Sequence, residues 1–241
     1  MKIMRNTKKL VPLKKILLEI KKITFRGFGQ FFASPDIAAL CQRHWLTAAI
    51  ATYFGGNYSQ EQYETLTTFV HLLHSKIRSI EENKIDKEFF NTQNGKRIIG
   101  KIFRGILRDN RIEKIEAMAN LTVNLFVKSK LNFDEKEVYV DILDSLNSLQ
   151  LSILQRAILE IKSRKVNQHR GFGWEKLAKE YEQKGITGAL LLQSIRALES
   201  NGLVNKNDAT IIDEDRTHFV TIFGEQFYSF ISEPVTSNIY L

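Results

Sequence analysis

Residues 186–222, ITGALLLQSIRALESNGLVNKNDATIIDEDRTHFVTI, change their hydrophobic period partway through. Leu190, Ile195 and Leu198 recur at helical spacing, whereas Ile211-Ile212 and Phe219 to Ile222 are short apolar runs of the kind strands show. The reading is a helix over 187–200 ended by Gly202, a strand at Leu203 to Asn205, a hairpin arm at Thr210 to Ile212 and a returning strand at 219–222. Asp213 to Arg216 fall at the tip of that hairpin. Working outward, residues 174–184 and the stretch from Ser148 to about Lys162 predict two preceding helices separated by a polar loop, and a last helix follows the returning strand. The order is helix, helix, helix, wing.

The fragments LLQSIRALESNGLV and FVTIFGEQFYSFI resemble the recognition helix and the strand-to-helix exit of prokaryotic winged-helix regulators, a likeness covering roughly residues 149–232. Upstream, RIEKIEAMANLTVNLFVKSKLNFDEKEVYVDILDSLNSLQLSILQRAI resembles the helical part of bacterial abortive-infection alpha-type proteins, which also end in a winged-helix-like unit. That resemblance implies phage-defence or stress-linked regulation and transfers no catalytic residues.

Upstream of the wing the sequence predicts a run of helices. Ser34-Pro35-Asp36 opens a helix over Ile37 to about Phe54, stopped by Gly55-Gly56-Asn57. Ser59 and Gln62 form a capping-box pattern for a long helix through Leu66, Phe69, Leu73, Ile77 and Ile80. A short helix is expected at Ile85 to Phe90, then one capped by Thr92 running to about Leu107. The next carries Ile112, Ile115, Met118, Ala119, Val123 and Phe126, and the one after it opens with Asp134 and Glu137 and continues to Leu146. The expected fold is mainly α: a basic arm (1–33), a helical bundle (34–147), a winged-helix-like domain (148–234) and a tail (235–241), closely packed because no flexible linker separates them.

Sparse glycine and proline, 13 and 3, favour helices over a many-stranded sandwich, and 43% hydrophobic residues suffice for a sizeable core. The single cysteine, Cys41, excludes an intramolecular disulfide and any multi-cysteine zinc site. With no signal-like apolar core in the first 30 residues, the expectation is a cytoplasmic chain whose mature form starts near Met1. The net charge of +8 is concentrated: residues 1–30 hold nine Lys or Arg against Glu19 alone, and the rest of the chain is balanced.

Three surfaces are candidates for macromolecular binding. The arm places Lys14, Lys15, Lys21 and Lys22 opposite Leu13, Ile16, Leu17, Ile20 and Ile23, a basic amphipathic helix followed by Phe25, Phe28, Phe31 and Phe32. Such an arm suits nucleic-acid phosphates, or an anionic membrane surface contacted by residues 8–32 at the inner membrane face, or simple docking on the bundle. Arg97, Lys101, Arg104, Arg108 and Arg111 form a stripe at helical spacings, either an anion-binding surface or a solvated face neutralised by acids such as Glu81, Glu82, Asp134 or Glu135. Thr187, Gln193 and Arg196 are the residues of the third helix able to reach base edges, but Arg196 is its one cation and the wing tip Asp213-Glu214-Asp215 repels phosphate.

Catalytic patterns are thin. His71 and His74 lie one turn apart without a ligand at metal-site spacing, and read as half-buried, hydrogen-bonded side chains. Gly27-Phe28-Gly29 and Gly171-Phe172-Gly173 lack the third glycine of a dinucleotide loop and read as turns. Asp141 and Asp144 share a helical face as surface carboxylates, Asp208 to Asp215 lacks a calcium-loop glycine, and Cys41 beside Trp45 reads as packing. The expectation is therefore a non-enzymatic bacterial regulatory or defence-related protein without metal or cofactor, binding nucleic acid, a protein or a second copy of itself. The alternative is a membrane-surface interaction protein anchored by its arm.

Overall fold

The computed structural model describes residues 59–77, 80, 84–86, 89, 92–127, 131–163, 171–172, 174–206 and 218–233. The basic arm with Lys14, Lys15, Lys21 and Lys22, the expected helix over 37–54, Cys41, Gly27-Phe28-Gly29, the hairpin arm and tip at 210–216 and the tail lie outside the described residues. What is described is mainly helical with one small sheet. Helices α1 (Gln60–Ile77), α2 (Gln93–Arg108), α3 (Ile112–Phe126), α4 (Phe133–Ser145) and α5 (Ser148–Lys162) come first. Then follow β1 (Gly171–Phe172), α6 (Trp174–Glu182), α7 (Gly188–Ser200), β2 (Val204–Lys206), β3 (His218–Val220) and α8 (Ile222–Ser232). No described helix is long and apolar enough to cross a membrane.

Local chemistry accounts for most helix boundaries. Ser59 and Gln62 exchange the two hydrogen bonds of a capping box ahead of α1, at 3.0 and 3.2 Å. Thr92 caps α2 through Gly95 N–H. The opening of α4 differs from the expectation built on Asp134 and Glu137: Asn132 and Glu135 form the capping box, because the Asn132 carboxamide reaches the third N–H while its own N–H is taken by Glu135. Asn147 and Gln150 do the same for α5. Of the short helix expected at Ile85 to Phe90, Phe89 lies in a 3-10 turn and residues 87, 88 and 90 fall outside the described residues, while Ile85 pairs with Val127 in an antiparallel bridge and Asp86 N–H donates to Phe126 C=O at 2.7 Å.

Two left-handed glycines shape the C-terminal unit. Gly185 at φ 81° follows α6, where Ile186 N–H returns to Tyr181 C=O and Gly185 N–H to Glu182 C=O. Gly202 at φ 69° ends α7 in the same manner, with Leu203 N–H on Leu198 C=O and Gly202 N–H on Glu199 C=O. Gly202 therefore sits just past the third helix of that unit, where the sequence placed it. The strands depart slightly from the expected bounds: β2 is shifted by one residue to start at Val204, and β3 begins one residue early and ends two residues early, at Val220, because Thr221 leaves the strand to cap α8 through Gly224 N–H. Gly171-Phe172, read as a turn, is instead a strand pairing antiparallel with Phe219 and His218, so the sheet has three strands in the order β1-β3-β2.

One hydrophobic cluster runs without interruption from Leu66 of α1 to Ile231 of α8, across the boundary drawn near residue 147. Its axis is α3, where twelve of fifteen residues are buried. On one side Phe69 and Phe103 meet edge to face at 5.7 Å. On the other, Tyr139 of α4 packs among Phe223, Phe227 and Phe230 of α8, with ring centroids 5.6, 5.8 and 4.9 Å away.

A helix inside a core must still satisfy its last carbonyls, which have no intrahelical donors. Here the donors are buried side chains of neighbouring helices. Lys114 of α3 donates to the carbonyls of Leu143 and Leu146 and, at 3.3 Å, to Asp144, closing the end of α4. Lys136 of α4 returns the arrangement at the end of α3, donating to Leu125 C=O at 3.2 Å beneath the Phe89 ring, 4.3 Å away. Both cations sit at the negative end of a helix dipole, which favours them. Asn120 Nδ2 donates to Ile231 and Ser232 C=O, and Asn124 Nδ2 to Phe230 and Glu233 C=O, at 2.7–2.9 Å, closing the end of α8.

Burial pushes Lys114 down to about 8, opposed by the Asp109 and Asp144 carboxylates. Between that value and the ordinary lysine pKa the unfolded chain holds the extra proton, so this group makes stability rise with pH across that window. Lys114→Met removes both effects: the buried Leu143 and Leu146 carbonyls lose this donor, while Asp144 C=O keeps its bond from Arg108, at a cost of about 2–4 kcal/mol near neutral pH. Urea midpoints at pH 7.5 and 9.5 check it. The wild type should gain on the variant in stability as pH rises, and a variant of unchanged midpoint at neutral pH would contradict the assignment.

Candidate functional site

Of the expected binding residues, Arg97, Lys101, Arg104, Arg108 and Arg111 are described, and α2 does align the first four along one face. The facing helix α4 presents Glu137, Asp141 and Asp144 at matching intervals. Arg97 bonds Glu137 at 2.5 Å, Lys101 bridges Glu137 and Asp141 at 2.6 and 2.7 Å, and Arg108 meets Asp144 Oδ2 at 2.7 Å. Arg97 also lies over the Phe133 ring at 5.0 Å. Arg111 leaves the stripe at the helix break and pairs with Asp109. Arg104 is exposed, with no ion pair among the described residues. The neutralising acids are thus Glu137, Asp141 and Asp144, and the surface carboxylates read at Asp141 and Asp144 are the acidic half of an interhelical zipper.

Hydrogen bonds from Lys101 and Arg97 hold the Glu137 carboxyl below its ordinary pKa. The stripe is solvent-accessible, however, so each pair contributes at the scale of surface ion pairs. A double-mutant cycle with Lys101→Gln and Glu137→Gln, read by chemical denaturation, should give a coupling of about 0.5–1 kcal/mol that shrinks in high salt. A salt-independent coupling above about 2 kcal/mol would show that the pair is not the surface contact described.

The other described candidates lie on α7. Thr187 is the cap of this helix, its hydroxyl accepting from Leu190 N–H at 3.3 Å, while Gln193 and Arg196 are exposed. Ala189, Leu192, Gln193 and Arg196 stand one turn apart on the outward face. Leu191, Ile195 and Leu198 are fully buried on the inward one. Leu190 and Leu192 remain 44% and 38% exposed, so the outward face is as apolar as it is polar. From 148 to 234 the sequence has eleven Lys or Arg and eleven Asp or Glu, so this unit has no basic excess of its own.

His71 and His74 are both half-buried and engaged with neighbours, in keeping with their reading as structural side chains. Among the described residues no cluster of three His, Cys, Asp or Glu side chains has metal-binding geometry. His218, which the sequence did not single out, is buried on β3 with Nε2 3.3 Å from Glu199 Oε1; burial lowers its pKa and Glu199 opposes the shift.

A feature missed from the sequence is a groove of about 760 Å³ where α3, α5 and the end of α8 converge. Glu113, Glu116 and Glu233 border it, and Ser152, Gln155 and Tyr228 line its wall. These residues are scattered over 120 positions, and among them only Asn120, an amide within the apolar stretch from Ala117 to Phe126, gave a signal that something buried and polar lies there. Compared with known proteins, the chain matches no family model, no curated protein and no solved structure.

Proposed function

We propose that the chain is a non-enzymatic binding protein, that residues 148–233 form a winged-helix module, and that this module uses α7 to recognise a protein partner. The order of three helices, a small antiparallel sheet and a closing helix supports the winged-helix reading. The observation that carries the choice of partner is the outward face of α7. It offers Leu190, Leu192 and Gln193 with Arg196 as its one cation. Duplex binding by a recognition helix draws most of its affinity from several phosphate contacts, which one arginine does not supply. Apolar side chains beside a single arginine are the composition of a protein-interface centre. The α2 stripe adds no strong phosphate site, because α4 already neutralises most of it. The resemblance to abortive-infection alpha-type proteins extends the proposal to bacterial defence or stress-linked regulation.

The test combines in-cell photocrosslinking from Leu192 with DNA-binding measurements. Expected is a discrete crosslinked protein whose recovery falls at least about tenfold in Leu190→Ser/Leu192→Ser, the loss of an apolar interface anchor, and is kept in Arg104→Gln. Removing Arg196 should change the log-log salt slope for duplex DNA by no more than about one unit. Sequence-selective duplex binding that Arg196→Ala abolishes, with no crosslinked protein, would replace the protein partner by a base-reading role. A second reading rests on the nine basic residues against Glu19 in 1–30, which favour an anionic surface, nucleic acid or lipid, for the arm.

A further inference from the structure

We propose that the groove between α3, α5 and the end of α8 is a binding site for an alkylammonium-bearing ligand, a linear amine cation either free or carried on a lysine side chain. Two independent observations converge there. The first is charge: Glu113, Glu116 and Glu233 border the groove, and none forms a salt bridge with another described residue. The basic residue at the rim, Arg111, is already paired with Asp109. The second is an orphaned acceptor. Asn120 is only 5% exposed, and its Nδ2 is committed to the carbonyls of Ile231 and Ser232, which fixes the amide orientation. Its Oδ1 is buried and has no partner, and Asn120 is one of the residues lining the groove.

A buried acceptor without a donor is costly, and a ligand that donates removes the cost. Ser148 Oγ, buried at the same groove and also unpartnered, supplies a second acceptor. An anion would find no comparable welcome, because three carboxylates border the groove and the Asn147 and Gln150 N–H groups at the start of α5 are already taken by each other's side chains. An ammonium group donates three hydrogen bonds and carries the complementary charge. Leu149, Leu151 and Ile231 line the groove together with the polar acceptors, so an aliphatic chain carrying the ammonium group finds apolar contacts there. Its volume lies within the range of small-ligand sites.

The experiment is isothermal titration of the full chain with spermidine, and separately with an acetylated and amidated lysine tripeptide. Expected is saturable binding of one ligand per chain, weakened roughly tenfold or more in Glu113→Gln/Glu233→Gln through loss of two charge-assisted contacts. Binding should be unchanged in Glu182→Gln, an exposed carboxylate outside the groove. Both variants replace exposed side chains isosterically, and unchanged thermal midpoints confirm their folds. Tighter binding of spermidine identifies a free polyamine as the ligand source, and tighter binding of the peptide a lysine side chain. No saturation by either probe up to about 10 mM, weaker than the range where specific recognition is measurable, would overturn the proposal. So would equal weakening in all variants, the mark of diffuse attraction. Neither result bears on α7, so this site and the proposed protein interface fail separately.

Discussion

Helix ends buried in a core must find hydrogen-bond donors, and in this protein α3 supplies most of them. It places Lys114 against the carbonyls that end α4, accepts Lys136 at its own end, and offers Asn120 and Asn124 to the end of α8. Each donor is buried, and each would be expensive to bury without its acceptor. The requirement is mutual, since the carbonyls of α4 and α8 are equally costly without donors. Helices α3 and α4 are thereby locked antiparallel through reciprocal lysines, and α8 is locked onto α3 at a fixed height. Generic apolar packing tolerates sliding; these directional contacts do not.

The consequence is that the C-terminal unit is not appended to the bundle but built into it. Helix α8 leaves the sheet at Thr221, threads its phenylalanines around Tyr139 and ends on the two asparagines. The sheet, α6 and α7 are therefore presented by a rigid base. Neutralisation of the α2 stripe by α4 completes the picture, because charge that would attract phosphate is spent on helix pairing. A surface organised in this way is suited to holding an apolar helix face toward a partner.

Much of the helical architecture was legible in the sequence. Capping pairs such as Ser59 with Gln62, the Thr92 cap, the apolar run of Ile112 to Phe126 and the Gly202 stop all act within a few residues, where local geometry decides. The bridge of Ile85 to Val127 was not legible, because it is a contact across 42 positions with no local trace. Gly171-Phe172 is a strand only because β3 lies beside it, and a two-residue strand carries no periodicity to detect. The acids expected to neutralise the stripe included Asp134 and Glu135 of α4, but those that pair with it, Glu137, Asp141 and Asp144, lie further along that helix, a pairing across about 40 positions that no local spacing reveals. The groove was illegible for the same reason: its carboxylates and its orphaned amide come from α3 and the end of α8, more than 100 positions apart and sharing no motif. One clue was available, since the stretch of α3 from Ala117 to Phe126 is mostly apolar on every face, which marks a buried segment and makes the polar residues within it candidates for specific contacts.

The claim that α3 joins the two halves through its asparagines is tested most directly by native-state hydrogen exchange on an Asn120→Ala/Asn124→Ala variant. Protection of the amides of α8 should fall at least about tenfold more than that of α1 and α2, because α8 would open without the bundle, the loss of about four buried hydrogen bonds being concentrated at its end. Equal loss of protection in all helices, or none in α8, would contradict the account.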